Sequence, residues 1–211
     1  IMAGAKITVF VGLIAVGIAG LIGIPLGILA GMRRDTWVEA LVMRGADVVL
    51  AFPALLLAII AGAVWGPSTL TAMIAIGISG IPSFARVARS GTLQVVTQDY
   101  IASAHISGVP GWKVAVRHVL PNIAGLIIVQ ASVYFALAIL AEAGLSYLGL
   151  GTPPPAASWG RMLQDAQSLL STDPLQALWP GLAIAATVLG FNLLGDALRD
   201  ALDPRMKGAT R

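Results

Sequence analysis

Four stretches of this chain carry no charged side chain and are each long enough to cross a bilayer: 7–31, 48–85, 119–141 and 174–195. A transmembrane helix takes about 20 apolar residues. The stretch 48–85 therefore suits two crossings, and Gly66-Pro67-Ser68 near its middle supplies the turn chemistry. Hydrocarbon offers no water to unpaired N–H and C=O groups, so these runs must be helices. The expectation is an all-α, polytopic transmembrane helical bundle with five spans, forming a single domain over 1–211. Composition agrees: 57% of residues are hydrophobic and 11% are charged, less than half the ~25% charge of an ordinary soluble domain.

The basic residues orient the bundle. With the polar segment 86–118 in the cytoplasm, Arg33, Arg34, Arg44, Arg86, Arg89, Lys113, Arg117, Arg199, Arg205, Lys207 and Arg211 lie inside. Of the 13 lysines and arginines, only Lys6 and Arg161 then lie outside, a strong positive-inside bias. The C-terminus is cytoplasmic in this topology and residue 1 is outside. The chain opens with Ile1, and nothing near it resembles a signal peptide. A further span upstream is therefore expected, giving six in all with both ends in the cytoplasm.

Small residues recur at four-residue spacing: Ala15, Ala19, Gly23, Gly27 and Gly31, and again Ala58, Gly62 and Gly66. Such stripes let helix backbones approach closely in lipid, either within this chain or at a subunit interface. Pro25, Pro53 and Pro82 fall inside the spans and are expected to kink them.

Chemistry is scarce. Cysteine is absent, which removes disulfides and thiol catalysis. The three lysines follow Ala5, Trp112 and Met206, so there is no G-K-[ST] phosphate loop. His105 and His118 match no helical metal pair, and no Ser/His/Asp set lies at a common depth. The chain reads as neither an enzyme nor a metal binder. Glu142 alone among the carboxylates is flanked by long apolar sequence, and ionisable groups in spans face a cavity or a partner. It is either part of a pathway or outer gate, or a span-end residue bonded to backbone donors of the Gly144 to Gly151 turn.

The extracytoplasmic loop is placed at 151–178. Thr152-Pro-Pro-Pro155 is stiff and Ser158 can cap a helix. Trp159, Met162, Leu163, Ala166, Leu169 and Leu170 then recur on one helical face. This short amphipathic helix is either an interfacial element anchored by Trp159 or a docking or gating element, with Trp159 and Met162 as its candidate residues.

The polar interruption within 86–121 reads as two short helices hinged at Gly108-Val-Pro-Gly111. Within it Ala102-Ser103-Ala104, Gly108, His118 and Leu120-Pro121 stand at a spacing that resembles the cytoplasmic loop of binding-protein-dependent ABC importers. Their signature runs E-A-A, three residues, G, nine residues, I, one residue, L-P. Ala102-Ser103-Ala104 stands at E-A-A, Gly108 at the glycine, His118 at the isoleucine and Leu120-Pro121 at L-P. The spacing holds throughout; Ala102, Ser103 and His118 depart from the usual residues. Arg117 to Asn122 and Ala141-Glu-Ala-Gly-Leu-Ser-Tyr-Leu-Gly-Leu-Gly151 resemble the dipeptide/oligopeptide branch. So do Ser158-Trp-Gly-Arg-Met-Leu163 and the end of the chain from Asn192 to Arg205.

The resemblance implies the type I ABC importer permease fold and a C-type permease subunit for di- or oligopeptides in a bacterial inner membrane. Nickel or another small solute is the alternative cargo within the family, and an ion-coupled secondary transporter the alternative outside it. The implied partners are a homologous second permease subunit, two ATPase subunits and an extracytoplasmic binding protein. The chain would bind no cofactor itself; ATP and Mg would be used by the ATPases. The coupling loop would comprise Tyr100, Ile101, Ala102, Ser103, Ala104, His105, Gly108, Arg117, Leu120 and Pro121. Tyr100, Ile101 and Ile106 would carry hydrophobic docking where the glutamate is missing.

Overall fold

A computed structural model describes residues 1–202. Arg205, Lys207 and Arg211 of the inside set lie outside the described residues, as does the last part of the C-terminal resemblance. The described residues are helical, without strands: α1 Met2–Met32, α2 Trp37–Leu50, α3 Ala54–Trp65, α4 Thr69–Val96, α5 Asp99–Ile106, α6 Gly111–Val114, α7 Leu120–Tyr147, α8 Trp159–Gln167 and α9 Leu175–Leu202. A single π turn, Ala115–Val119, joins α6 to α7, so the helix runs unbroken from Gly111 to Tyr147.

Four of these helices are long and apolar enough to cross a membrane: α1, α4, the run ending in α7, and α9. The fifth expected crossing has a form that charge counting did not anticipate. The expected span before Gly66 is a bent pair, with α2 and α3 meeting at 80°. Its α3 limb has 12 residues, about 18 Å of helix against a hydrocarbon core of about 30 Å. Pro53 stands at the break, where its missing N–H and fixed φ end the helical ladder. The turn itself is where the sequence puts it. Gly66 adopts φ 85°, and Ser68 caps α4 by accepting from the Thr71 N–H at 3.0 Å. Gly66 is thus a turn residue and not part of a helical stripe. By contrast α1 and α4 run on through Pro25 and Pro82.

The bundle is built on α1 against α4. A Cβ on Gly23 would stand 2.6 Å from the Ile81 carbonyl oxygen, and one on Gly31 2.6 Å from the Thr92 Cβ. On Gly27 it would overlap the Ala85 carbonyl. The small-residue stripe is therefore an internal seam of this chain. Ala15 and Ala19 extend it, fully buried with Phe84, Ile76 and Tyr134. The Tyr134 hydroxyl donates to the Ile76 carbonyl at 2.5 Å, linking α7 to α4. At the basic end of the bundle α2 is tied to α4 by Arg86 with Asp47 and Arg89 with Glu39.

At the opposite end Ser158 caps α8, accepting from the Arg161 N–H at 3.2 Å. The helix stops at Gln167, so Leu169 and Leu170 lie beyond it. Their spacing continues the apolar period, but Ser168 to Thr172 form turns.

The seam yields a test. Gly27→Ala forces α1 off α4 and should cost about 1–3 kcal/mol, seen as a lower thermal midpoint of the purified protein. Gly17→Ala, where a Cβ meets nothing within 4 Å, should leave the midpoint unchanged.

Candidate functional site

The sequence from Asp99 to Asn122 folds as an elbow at the basic end. Helix α5 is short because Gly108 stops it. Gly108 has φ 75°, and the Val109 N–H reaches back to the Ala104 carbonyl at 3.1 Å, the bond that closes a helix on a left-handed residue. Pro110 then opens α6 in extended conformation. The π turn has its own cause. A proline at position 121 cannot donate to the ladder and crowds the carbonyl four residues back. The helix widens there: the Leu120 N–H bonds to Ala115, five residues back, and the Asn122 side-chain amide donates to the His118 carbonyl at 2.7 Å.

Side chains of the elbow divide into two faces. Ile101 is 1% exposed and packs with Ile28, Ala88, Val114, Val119 and Ile123. This corrects the expectation that Ile101 docks a partner; it is the peg that seats α5 under α1, α4 and α7. Tyr100 is partly exposed, its ring 6.1 Å from that of His118, so α5 leans on the π turn. Ala102 and Ser103 face outward, Ala104 is half-buried, and His105 belongs to the same helix by its backbone. Ile106 is 88% exposed. Gly108, Arg117, Leu120 and Pro121 are also exposed. Sequence reasoning passed over Trp112, which is 66% exposed with the Lys113 ammonium 5.5 Å from its ring centroid. An exposed tryptophan in a polar loop was the available signal. Trp112, Val116 and Leu120 form one wall of a groove of about 390 Å³ whose other wall is Ile24, Ile28 and Arg33.

At the other end, Glu142 is wholly buried. Its Oε2 accepts from the Thr8 hydroxyl at 3.1 Å and its Oε1 from the Ser146 hydroxyl at 2.6 Å. Those hydroxyls accept in turn from backbone N–H groups: Thr8 from Trp159 at 3.2 Å, Ser146 from Thr152 at 3.1 Å. The donors to the carboxylate are thus side chains, with the turn's backbone one step removed. Trp159 is buried and its indole N–H donates to the Ile1 carbonyl at 3.1 Å. Met162 is half-buried and lines a cavity of about 380 Å³ with Ile1, Ala166 and Trp179. Among the described residues no three His, Cys, Asp or Glu side chains converge as metal ligands would.

The model of the binding-protein-dependent transport system inner membrane component family matches residues 23–208. The chain belongs to that family. It is 42% identical over 207 residues to a dipeptide transport system permease protein of Alkalihalophilus pseudofirmus, covering 98% of this chain and 68% of the relative. It is 44% identical over 208 residues to a glutathione transport system permease protein of Escherichia coli O157:H7, covering 99% and 68%. Its fold superposes on a chain of the MetNI methionine ABC transporter in an inward-facing conformation with TM-score 0.78, at 15% identity over 95% of this chain and 94% of that one. A chain of an amino acid ABC transporter gives TM-score 0.72 at 18% identity over 95% and 93%. This inner-membrane-component family comprises transport permeases, which agrees with a helical chain of four or five candidate spans.

The two faces of the elbow separate experimentally. Ile101→Ala removes a buried peg and should cost about 2–5 kcal/mol, read as faster amide exchange across residues 99–119. Ile106→Ala, at an exposed position, should leave exchange unchanged.

Proposed function

We propose that this chain is one permease subunit of an ATP-driven ABC importer that brings dipeptides or small peptides of the glutathione kind across a bacterial inner membrane. The observation that carries the proposal is the elbow: α5, pegged by buried Ile101 and stopped by left-handed Gly108, holds Ala102, Ser103 and Ile106 outward. Small and apolar outward residues suit close docking in a groove of another protein. In this proposal the elbow faces the cytoplasm and is the coupling helix. One of two ATPase subunits takes it in a groove, a second permease completes the pathway, and a binding protein delivers peptide to the α8 side. ATP and Mg are used by the ATPases. The 42–44% identity to dipeptide and glutathione permeases supports the peptide cargo.

When the ATPases close, they push α5. Through the cluster around Ile101 the push reaches Ile28 of α1, Val119 of the π turn and Ile123 of α7. A packed cluster of this kind transmits displacement because protein interiors compress little. The spans then rock between inward-open and outward-open arrangements as rigid bodies.

The test is purification of the full transporter from a native membrane, followed by uptake into vesicles with a dipeptide, glutathione and nickel as competing substrates. Co-purifying ATPases and ATP-dependent uptake, inhibited by both peptides and not by nickel, are expected. Uptake by this chain alone, driven by an ion gradient, would overturn the proposal. Gly108→Val forces a β-branched residue to φ 75°, at about 1–2 kcal/mol of backbone strain. Uptake should fall while ATP hydrolysis by the assembly persists.

A further inference from the structure

We infer that Glu142 is a positioning residue that locks the outer helix α8 to α1 and α7, so that α8 moves with those two spans and is not a separately hinged lid. This rests on the importer proposal, which supplies the motion.

The geometry is a closed chain of donors: Trp159 N–H to Thr8 Oγ1, Thr8 O–H to Glu142, Ser146 O–H to Glu142, and Thr152 N–H to Ser146 Oγ. Each hydroxyl has one hydrogen, and both hydrogens point at the carboxylate. Each hydroxyl also receives a backbone N–H. The chain draws on α1 (Thr8), α7 (Glu142 and Ser146), the loop after it (Thr152) and the first residue of α8 (Trp159). Thr8, Glu142 and Ser146 are fully buried, and Thr152 nearly so. This burial keeps bulk solvent from replacing a lost partner, so sliding any one element leaves donors or acceptors bare.

The packing around this chain is equally unforgiving. A Cβ on Gly160 of α8 would overlap the Ala143 carbonyl of α7, and one on Gly151 would overlap the Ser146 hydroxyl. A Cβ on Gly4 of α1 would stand 3.0 Å from the Trp159 ring. Three backbones therefore touch at the point where the hydrogen bonds meet.

The spans that hold α8 are also the spans that receive the elbow. Ile101 belongs to one packed cluster with Ile28 of α1, Ala88 of α4, Val119 of the π turn and Ile123 of α7. Thr8 is on α1 and Glu142 is on α7. Displacement of the elbow thus reaches α8 through two continuous helices, with Glu142 as the far fastening.

The chain has no cysteine, so spin labels are readily placed at Gln167→Cys on α8 and Tyr147→Cys at the end of α7. In the assembled transporter, pulsed EPR should give one narrow distance that is the same without nucleotide and with ATP trapped. Thr8→Val, isosteric but without the hydroxyl, should broaden that distance and lower uptake roughly tenfold, the order expected when buried polar groups lose a partner. Thr8→Ser, which restores the hydroxyl, should recover both. Glu142→Ala should match or exceed Thr8→Val. A wild-type α7–α8 distance that changes on ATP trapping overturns the inference even if Glu142→Ala does not fold. So does a Thr8→Val protein with unaltered distance and uptake. An assembly without ATPase subunits would instead defeat the importer proposal.

Discussion

Close approach of α1 to α4 is the contact on which the remaining helices depend. In lipid there is no gain from hiding one apolar helix against another, because acyl chains are as apolar as leucine. Association must come from packing at short range, and Gly23, Gly27 and Gly31 allow it by exposing backbone to Ile81, Ala85 and Thr92. The same pair then serves as a platform. Tyr134 of α7 fits over Gly80 of α4 and Phe135 over Gly12 of α1. Here again a glycine receives an aromatic ring, so the third helix is fixed by shape and not by greasiness.

Most of the fold was legible because charge exclusion and helix length are one-dimensional quantities. The spans at α1, α4, α7 and α9, the Gly66–Ser68 turn and the Ser158 cap could all be read along the chain. A kink at Pro53 was expected and is there, but its size, 80° between two short limbs, was not legible, because absence of charge does not distinguish a straight crossing from a bent pair. The end of α8 was overrun because Leu169 and Leu170 keep the apolar period past the last helical turn. The signature spacing located the elbow but could not say which way Ile101 points. That depends on where α4 ends and how the π turn returns the chain, a three-dimensional outcome. Trp112 was missed since a lone aromatic in a loop carries no period. Glu142 stood out in sequence, yet its partner Thr8 lies 134 positions away, beyond any local pattern.

Two features separate the ends of the molecule. At the basic end, carboxylates meet guanidinium groups: Asp47 with Arg86, Glu39 with Arg89. The Asp47–Arg86 pair is exposed on both sides, where such pairs contribute only about 0–1 kcal/mol, while Glu39 is buried against a partly covered Arg89. An exposed pair of this kind can be remade as helices shift, which fits the push at this end that the importer proposal invokes.

At the α8 end the carboxylate has no cation among the described residues and is held by two short hydroxyls. The difference matters mechanically. An arginine reaches its partner through a flexible stem and can follow it over several ångströms. A threonine or serine hydroxyl stands one bond from Cβ, so its position is the position of the backbone. With each hydroxyl also fixed by a backbone N–H, the contact joins helix to helix with almost no slack. Burial sharpens the penalty for breaking these hydrogen bonds. A joint made this way favours one arrangement of α1, α7 and α8 over all nearby ones, and under the inference drawn above any motion at the α8 end is taken up around this unit and not within it.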